Sequence, residues 1–197
     1  MSELDEAIGE SIEHASESKL NSKIAIFVAL TATFMAICNI KGGNIVQNMS
    51  KAQSSAVNKW AYFQSKSTKQ NLSENTIEIL GSQLLNTNSA EAKLDIEKKI
   101  NSYKTKIEKY EKEKNEIKTA AEAEEKSYND MNVYDDQFDM TEATLSIAIA
   151  MFGLSALTQK KQLFYFALCL STLGMILGLS AFFKITLHSD FVSNILG

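Results

Sequence analysis

A stretch of 17 residues, 24–40, carries no charged side chain, and Lys23 and Lys41 close it at either end. As a helix rising ~1.5 Å per residue it is roughly 25 Å long, the short end of what crosses the hydrocarbon layer of a bilayer. Two more apolar blocks, 143–158 and 163–183, are separated only by Gln159-Lys160-Lys161-Gln162. The segment between the first block and the second is strongly charged. A water-soluble core needs apolar residues spread periodically along the chain, so this distribution argues for a membrane protein instead. The expected fold is all-α and integral to the membrane. Three transmembrane helices, 23–41, 142–158 and 163–184, enclose a long antiparallel helical hairpin, a coiled coil, between the first and second.

The chain has no proline. Proline breaks helix interiors and favours turns, so its absence suits a few long helices better than a sheet with many turns. Residues 1–22 are acidic, and Leu4, Ile8, Ile12 and Ala15 are spaced as one side of an amphipathic helix. The apolar block begins late and no cleavage site follows it, so the first span is expected to be an uncleaved anchor. Gly42–Gly43 is expected to interrupt the helix, and residues 44–131 to form the hairpin.

In the first arm, Met49, Ala52, Ala56, Trp60 and Phe63 lie on one face, and Ile77, Leu80 and Leu84 resume it beyond a polar interval, 64–71. Residues 86–89, Asn-Thr-Asn-Ser, carry the turn signal, with Asn88 and Glu91 spaced as a capping pair. In the second arm, positions 96, 100, 103, 107, 110, 114, 117, 121, 124, 128 and 131 alternate by fours and threes. All are apolar or aromatic except Lys114 and Glu124, which makes a sustained heptad seam. Arms of matched length return the chain to the membrane it left. Residues 132–141 link the hairpin to the second span, and 185–197 form a C-terminal tail.

Small residues mark each span. Ala25, Ala29, Ala32 and Ala36 line the first, Ser146, Ala150 and Gly153 the second, and Gly174 and Gly178 the third. In lipid such stripes let helix backbones approach closely. Ala25, Ala29, Gly153, Gly174 and Gly178 are therefore the candidate packing residues. Together with an apolar seam that a polar-centred first arm leaves partly open, they lead to the expectation of a homo-oligomer. Lys160 and Lys161, in the shortest loop, place that loop and the N-terminus in the cytoplasm, with the hairpin outside.

Charge and chemistry exclude several classes. Net charge is −4, every cation is lysine, and residues 91–126 carry ten lysines against ten acids, so nucleic acid is not an expected partner. His14 and His188 are far apart, Cys38 and Cys169 both lie in apolar segments, and the sequence has no CxxC, HExxH or glycine-rich phosphate loop. No enzyme activity, cofactor or metal is expected. The acids Asp130, Asp135, Asp136 and Asp139 read as a solvated linker more readily than as a cation site. The spans carry ionisable residues only at their ends, unlike most pumps.

Gly42-Gly43-Asn44, followed by the string Trp60-Ala-Tyr62-Phe63-Gln64-Ser-Lys66-Ser-Thr-Lys69-Gln70, resembles a family of bacterial membrane proteins catalogued as domain of unknown function 4337. The resemblance extends to the plan of one span, a long helical insert and two closing spans. It implies a bacterial inner membrane location and no activity. Phe63 stands where the family's pattern leads one to expect tyrosine. Trp60, Tyr62, Phe63, Gln64, Lys66, Lys69 and Gln70 are the candidate interaction residues. Either they pack and pair within the hairpin, or the lysines and Gln70 hold acidic groups of a neighbour or an anionic ligand. The function expected is a non-enzymatic, self-associating membrane scaffold, the partners being lipid, further copies and an unidentified protein. The alternative is a small oligomeric ion channel or transport accessory subunit.

Overall fold

The computed structural model describes residues 3–185, with side chains from Lys19 onward. These residues form three helices, α1 (Glu3–Asn86), α2 (Ala90–Thr158) and α3 (Lys161–Phe182). Each contains a stretch long and apolar enough to cross a membrane. The amphipathic pattern expected at Leu4, Ile8, Ile12 and Ala15 lies outside the described side chains, as do His14, His188 and the tail beyond Ile185.

Two expected breaks are absent. α1 runs without interruption through Gly42–Gly43, and α2 continues from the charged arm straight into the apolar block. Glycine in a helix costs about 1 kcal/mol relative to alanine, a penalty that packing readily offsets. Gly42 is buried, and a side chain there would meet the Cβ of Phe138 at 3.5 Å. That is an ordinary contact distance, so Gly42 packs against Phe138 as part of the helix.

The chain divides into two compact units. One takes in the chain up to Gln47 and from Asp130 onward; the other is Asn48–Asn129. In the first unit, segments of α1, α2 and α3 pack in layers. Leu20, Ile24, Phe152, Phe164 and Ala167 form one layer, with Phe27 stacked on Phe152 and edge-on to Phe164. Next, the hydroxyls of Thr31 and Ser171, both buried, share a 2.8 Å hydrogen bond. Leu145 then sits over Gly174, and Phe34 and Cys38 over Gly178. A last layer holds Cys38, Phe138 and Ala181, with Phe182 edge-on to Phe138. Gln137 closes this end by donating to Ser180 Oγ and the Ile185 carbonyl.

In the second unit, the chain reverses at 87–89. Asn86 and Thr87 cap carbonyls of the last turn of α1, those of Ser82 and Gln83. Ser89, and not Asn88, caps α2: its Oγ accepts from the amide of Ala92 at 3.4 Å. The α2–α3 turn places Gln159 at φ 55, the left-handed region. Its amide donates to the Ala156 carbonyl and to Asn21 Oδ1.

Candidate functional site

The second unit shows a pattern in the first arm that its residue types conceal. Met49, Ala52, Ala56, Lys59, Phe63, Lys66, Gln70, Ser73, Ile77, Leu80 and Leu84 are all buried or half-buried. Their spacing alternates strictly by threes and fours. The first arm therefore carries a heptad seam as regular as the second, with polar groups at its centre. In the second arm every seam position from Ile96 to Tyr128 is likewise buried or half-buried.

The polar groups of one seam meet those of the other. Lys59 Nζ lies 2.6 Å from Glu124 Oε1, which also accepts from Ser55. Trp60 Nε1 donates to Glu125 at 2.7 Å, and its ring stands edge-on to Phe63. Lys114 Nζ lies over the Phe63 ring and donates to Gln70 Oε1. Gln70 Nε2 donates in turn to Glu74. The partners of Ser55, Lys59 and Trp60 lie at Glu124 and Glu125 of α2, and those of Lys66 and Gln70 at Glu113 and Lys114.

Lys66 stands at the centre. Its side chain is buried, its Nζ is 2.6 Å from Glu113 Oε2, and the ammonium lies over the rings of Tyr62 and Tyr110 at 5.1 and 5.5 Å. Glu113 Oε2 is shielded from solvent. The Glu113 carboxylate and then the Tyr62 hydroxyl raise the Lys66 pKa, while hydrogen bonding to Lys66 lowers that of Glu113. Glu124 is lowered in the same way by Lys59 and Ser55. Each shift favours the charged form, the ammonium of Lys66 and the carboxylates of Glu113 and Glu124.

The family model described as Domain of unknown function (DUF4337) matches residues 20–184. The chain belongs to this family. No curated protein and no solved structure matches it. The family's match takes in both the Trp60–Gln70 string and the apolar unit. Within the string, Trp60, Phe63, Lys66 and Gln70 turn into the pairing of the two arms, and Tyr62 covers Lys66 from its exposed side. Gln64 and Lys69 face solvent. Of this network the sequence named Trp60, Tyr62, Phe63, Lys66 and Gln70 as interaction residues and placed Tyr110, Lys114 and Glu124 in the second arm's seam; it missed Ser55, Lys59, Glu113 and Glu125. The signal was present in Lys114 and Glu124: polar breaks in an apolar seam call for polar partners in the facing arm.

The packing residues separate into two sets. Gly174 and Gly178 are buried, and side chains there would meet Leu145 and Thr144, or Phe34 and Cys38, of the same chain. Their close contacts lie within the one chain. Ala25, Ala29 and Gly153 face outward, and a Cβ at Gly153 would meet nothing within 4 Å. Among the described residues, no three His, Cys, Asp or Glu side chains converge as a metal site. An open groove of about 530 Å³ beside Lys51, Ser54, Asn58 and Tyr62 includes Lys59, whose charge is taken by Glu124.

Proposed function

We propose that the protein is a non-enzymatic membrane scaffold. The apolar unit spans the bilayer three times and self-associates there, and the charged unit works outside it as an antiparallel coiled-coil hairpin. One observation carries this reading: Trp60, Lys66 and Gln70 of the family string, with Lys59 just before it, turn to the facing arm. Lys59, Lys66 and Lys114 are engaged by Glu124, Glu113 and Gln70, and Trp60 by Glu125. Such a network fixes the register of two helices, the best-attested use of polar groups in a helical seam.

The surface of the apolar unit supports its place in lipid. Ile26, Leu30, Ile37, Ile147, Leu154, Phe166, Leu173 and Ile176 all face outward, and a solvated bundle does not expose so much apolar surface. The reading places the protein in a bacterial inner membrane, with Lys160 and Lys161 on the cytoplasmic side and the hairpin opposite. Further copies of the chain and lipid are its partners, together with a protein whose chemistry the hairpin does not specify.

The test is the mass of the full chain in lipid nanodiscs, combined with ion flux through proteoliposomes. A scaffold gives a discrete oligomer and no flux. Flux above empty liposomes would replace this reading with the channel, and a monomer at every dilution would reject self-association.

A further inference from the structure

The layers of the apolar unit fix the depth of each residue relative to its neighbours. Phe138 is level with Phe182, and Leu145 with Gly174. Glu142 lies between these two layers, one turn from Leu145. Gly174 stands eight residues before Phe182, where α3 ends. At ~1.5 Å per residue Glu142 is therefore roughly 8 Å inside the level of that helix end. Read from sequence, Glu142 marks the start of a span; in the folded unit it lies alongside α3, inside its end.

The Glu142 side chain faces outward, one turn from the exposed carboxylate of Asp139. Asn39 Nδ2 donates to Oε1 at 3.2 Å, and Oε2 takes no hydrogen bond among the described residues. Asn39 itself lies between Cys38, beneath which Gly178 packs, and Gly42, which meets Phe138. A carboxylate at this depth is costly against lipid, and such residues normally face protein or a water-filled cavity.

The surface around the pair differs from the rest of the unit. On α1, Ala25, Ala29, Ala32, Ala36, Asn39 and Gly43 repeat by fours and threes, and all but the half-buried Ala32 are exposed. On α2, Ala143, Ser146, Ala150 and Gly153 are exposed. Contacts of Met35 with Ser146 and of Asn39 with Glu142 bring these two stripes to the same side. The outward side of α3 instead carries Phe166, Leu173, Ile176 and Leu179, large side chains suited to lipid.

We infer that the face centred on Asn39 and Glu142 is where a second copy of the chain docks within the membrane. This rests on the membrane-scaffold reading above. The face is self-complementary. Asn39 has a second N–H to donate, Glu142 Oε2 is an acceptor, and a two-fold arrangement brings each to the other copy. The small residues on either side permit the backbone approach that such a bond requires. The Glu142 site is incomplete in a single chain and is completed by the partner's donor.

The test uses full-length protein in nanodiscs, in a Cys38→Ala, Cys169→Ser background that removes both native cysteines. Single cysteines are placed on the proposed face (Ala36→Cys, Ala150→Cys) and on the α3 side (Ile176→Cys), and oxidised under mild conditions. Disulfide-linked dimers at positions 36 and 150 and none at 176 are expected. Glu142→Ala should weaken association roughly threefold, a typical loss for one interhelical hydrogen bond in a membrane, and Glu142→Gln should retain it. An oligomer that crosslinks through position 176 and not through 36 or 150 overturns this interface while leaving self-association standing. A monomer throughout overturns the scaffold reading, and the interface with it.

Discussion

One methyl group added at Gly174 should destabilise the apolar unit measurably. An alanine Cβ there would stand 2.6 Å from Leu145 Cδ2, 2.9 Å from its Cγ and 3.4 Å from Thr144 Cγ2. Carbon atoms rest comfortably at ~3.5–4.0 Å, so Leu145 must retreat by about 1 Å. It has nowhere to go, because its side chain is fully buried. Overpacking of this kind costs about 1–3 kcal/mol. Leu145→Ala alone should cost about 2–5 kcal/mol by leaving a cavity. In the double variant the clash disappears, so its cost should fall short of the summed single costs by about 1–3 kcal/mol. Reversible unfolding in mixed micelles, followed for all four proteins, measures this coupling. Additivity within about 0.5 kcal/mol would refute the claim that Gly174 exists to admit Leu145 of the same chain.

Removing Glu113 should destabilise the hairpin more than replacing Lys66 and Glu113 together with Met and Leu, because a lone buried ammonium is worse than none. Amide exchange in both arms reads the difference. The lowered pKa values of Glu113 and Glu124 stabilise the fold above the usual carboxylate range. That contribution is lost as pH falls through their folded values, so acid should loosen the arms, and Glu113→Gln should flatten the response. Asp135 has the opposite sign. Burial, then Asp139 and Asp136, raise its pKa, so the stability it gives when protonated is lost as pH rises through its folded value. Asp135→Asn should therefore stabilise the protein at neutral pH, as a thermal melt would show. Ser89→Ala should cost about 0.5 kcal/mol, the low end for a cap whose hydrogen bond is long, and Asn88→Ala almost nothing.

The helices and their blocks were legible because hydropathy and the absence of proline act locally. The second arm's seam was legible because nearly all its residues are apolar. The first arm's seam was not: Lys59, Lys66, Gln70 and Ser73 hold seam positions that a hydrophobic pattern cannot see. Only pairing with Glu124, Glu113 and Lys114 makes them interior residues. Gly42–Gly43 misled because a glycine's helix penalty is only about 1 kcal/mol, too small by itself to end a long helix. The GxxxG pair at Gly174 and Gly178 was visible as a close-approach motif, but a motif does not say whose side chain approaches. The depth of Glu142 likewise depends on how α2 aligns with α3. A run of uncharged residues starts after it, whereas the packed unit starts before it.

Spin labels placed along the chain in nanodiscs, with accessibility to oxygen and to a water-soluble nickel chelate measured at each, test the account most directly. Leu173 and Ile176 should be open to oxygen and closed to nickel, as lipid-facing positions are. Leu72 and Ile79 of the hairpin should be open to nickel. Ala36 and Ala150 should be shielded from both by a second copy. Nickel access at Leu173 and Ile176 would contradict the membrane-spanning unit, and full oxygen access at Ala36 and Ala150 would contradict its self-association.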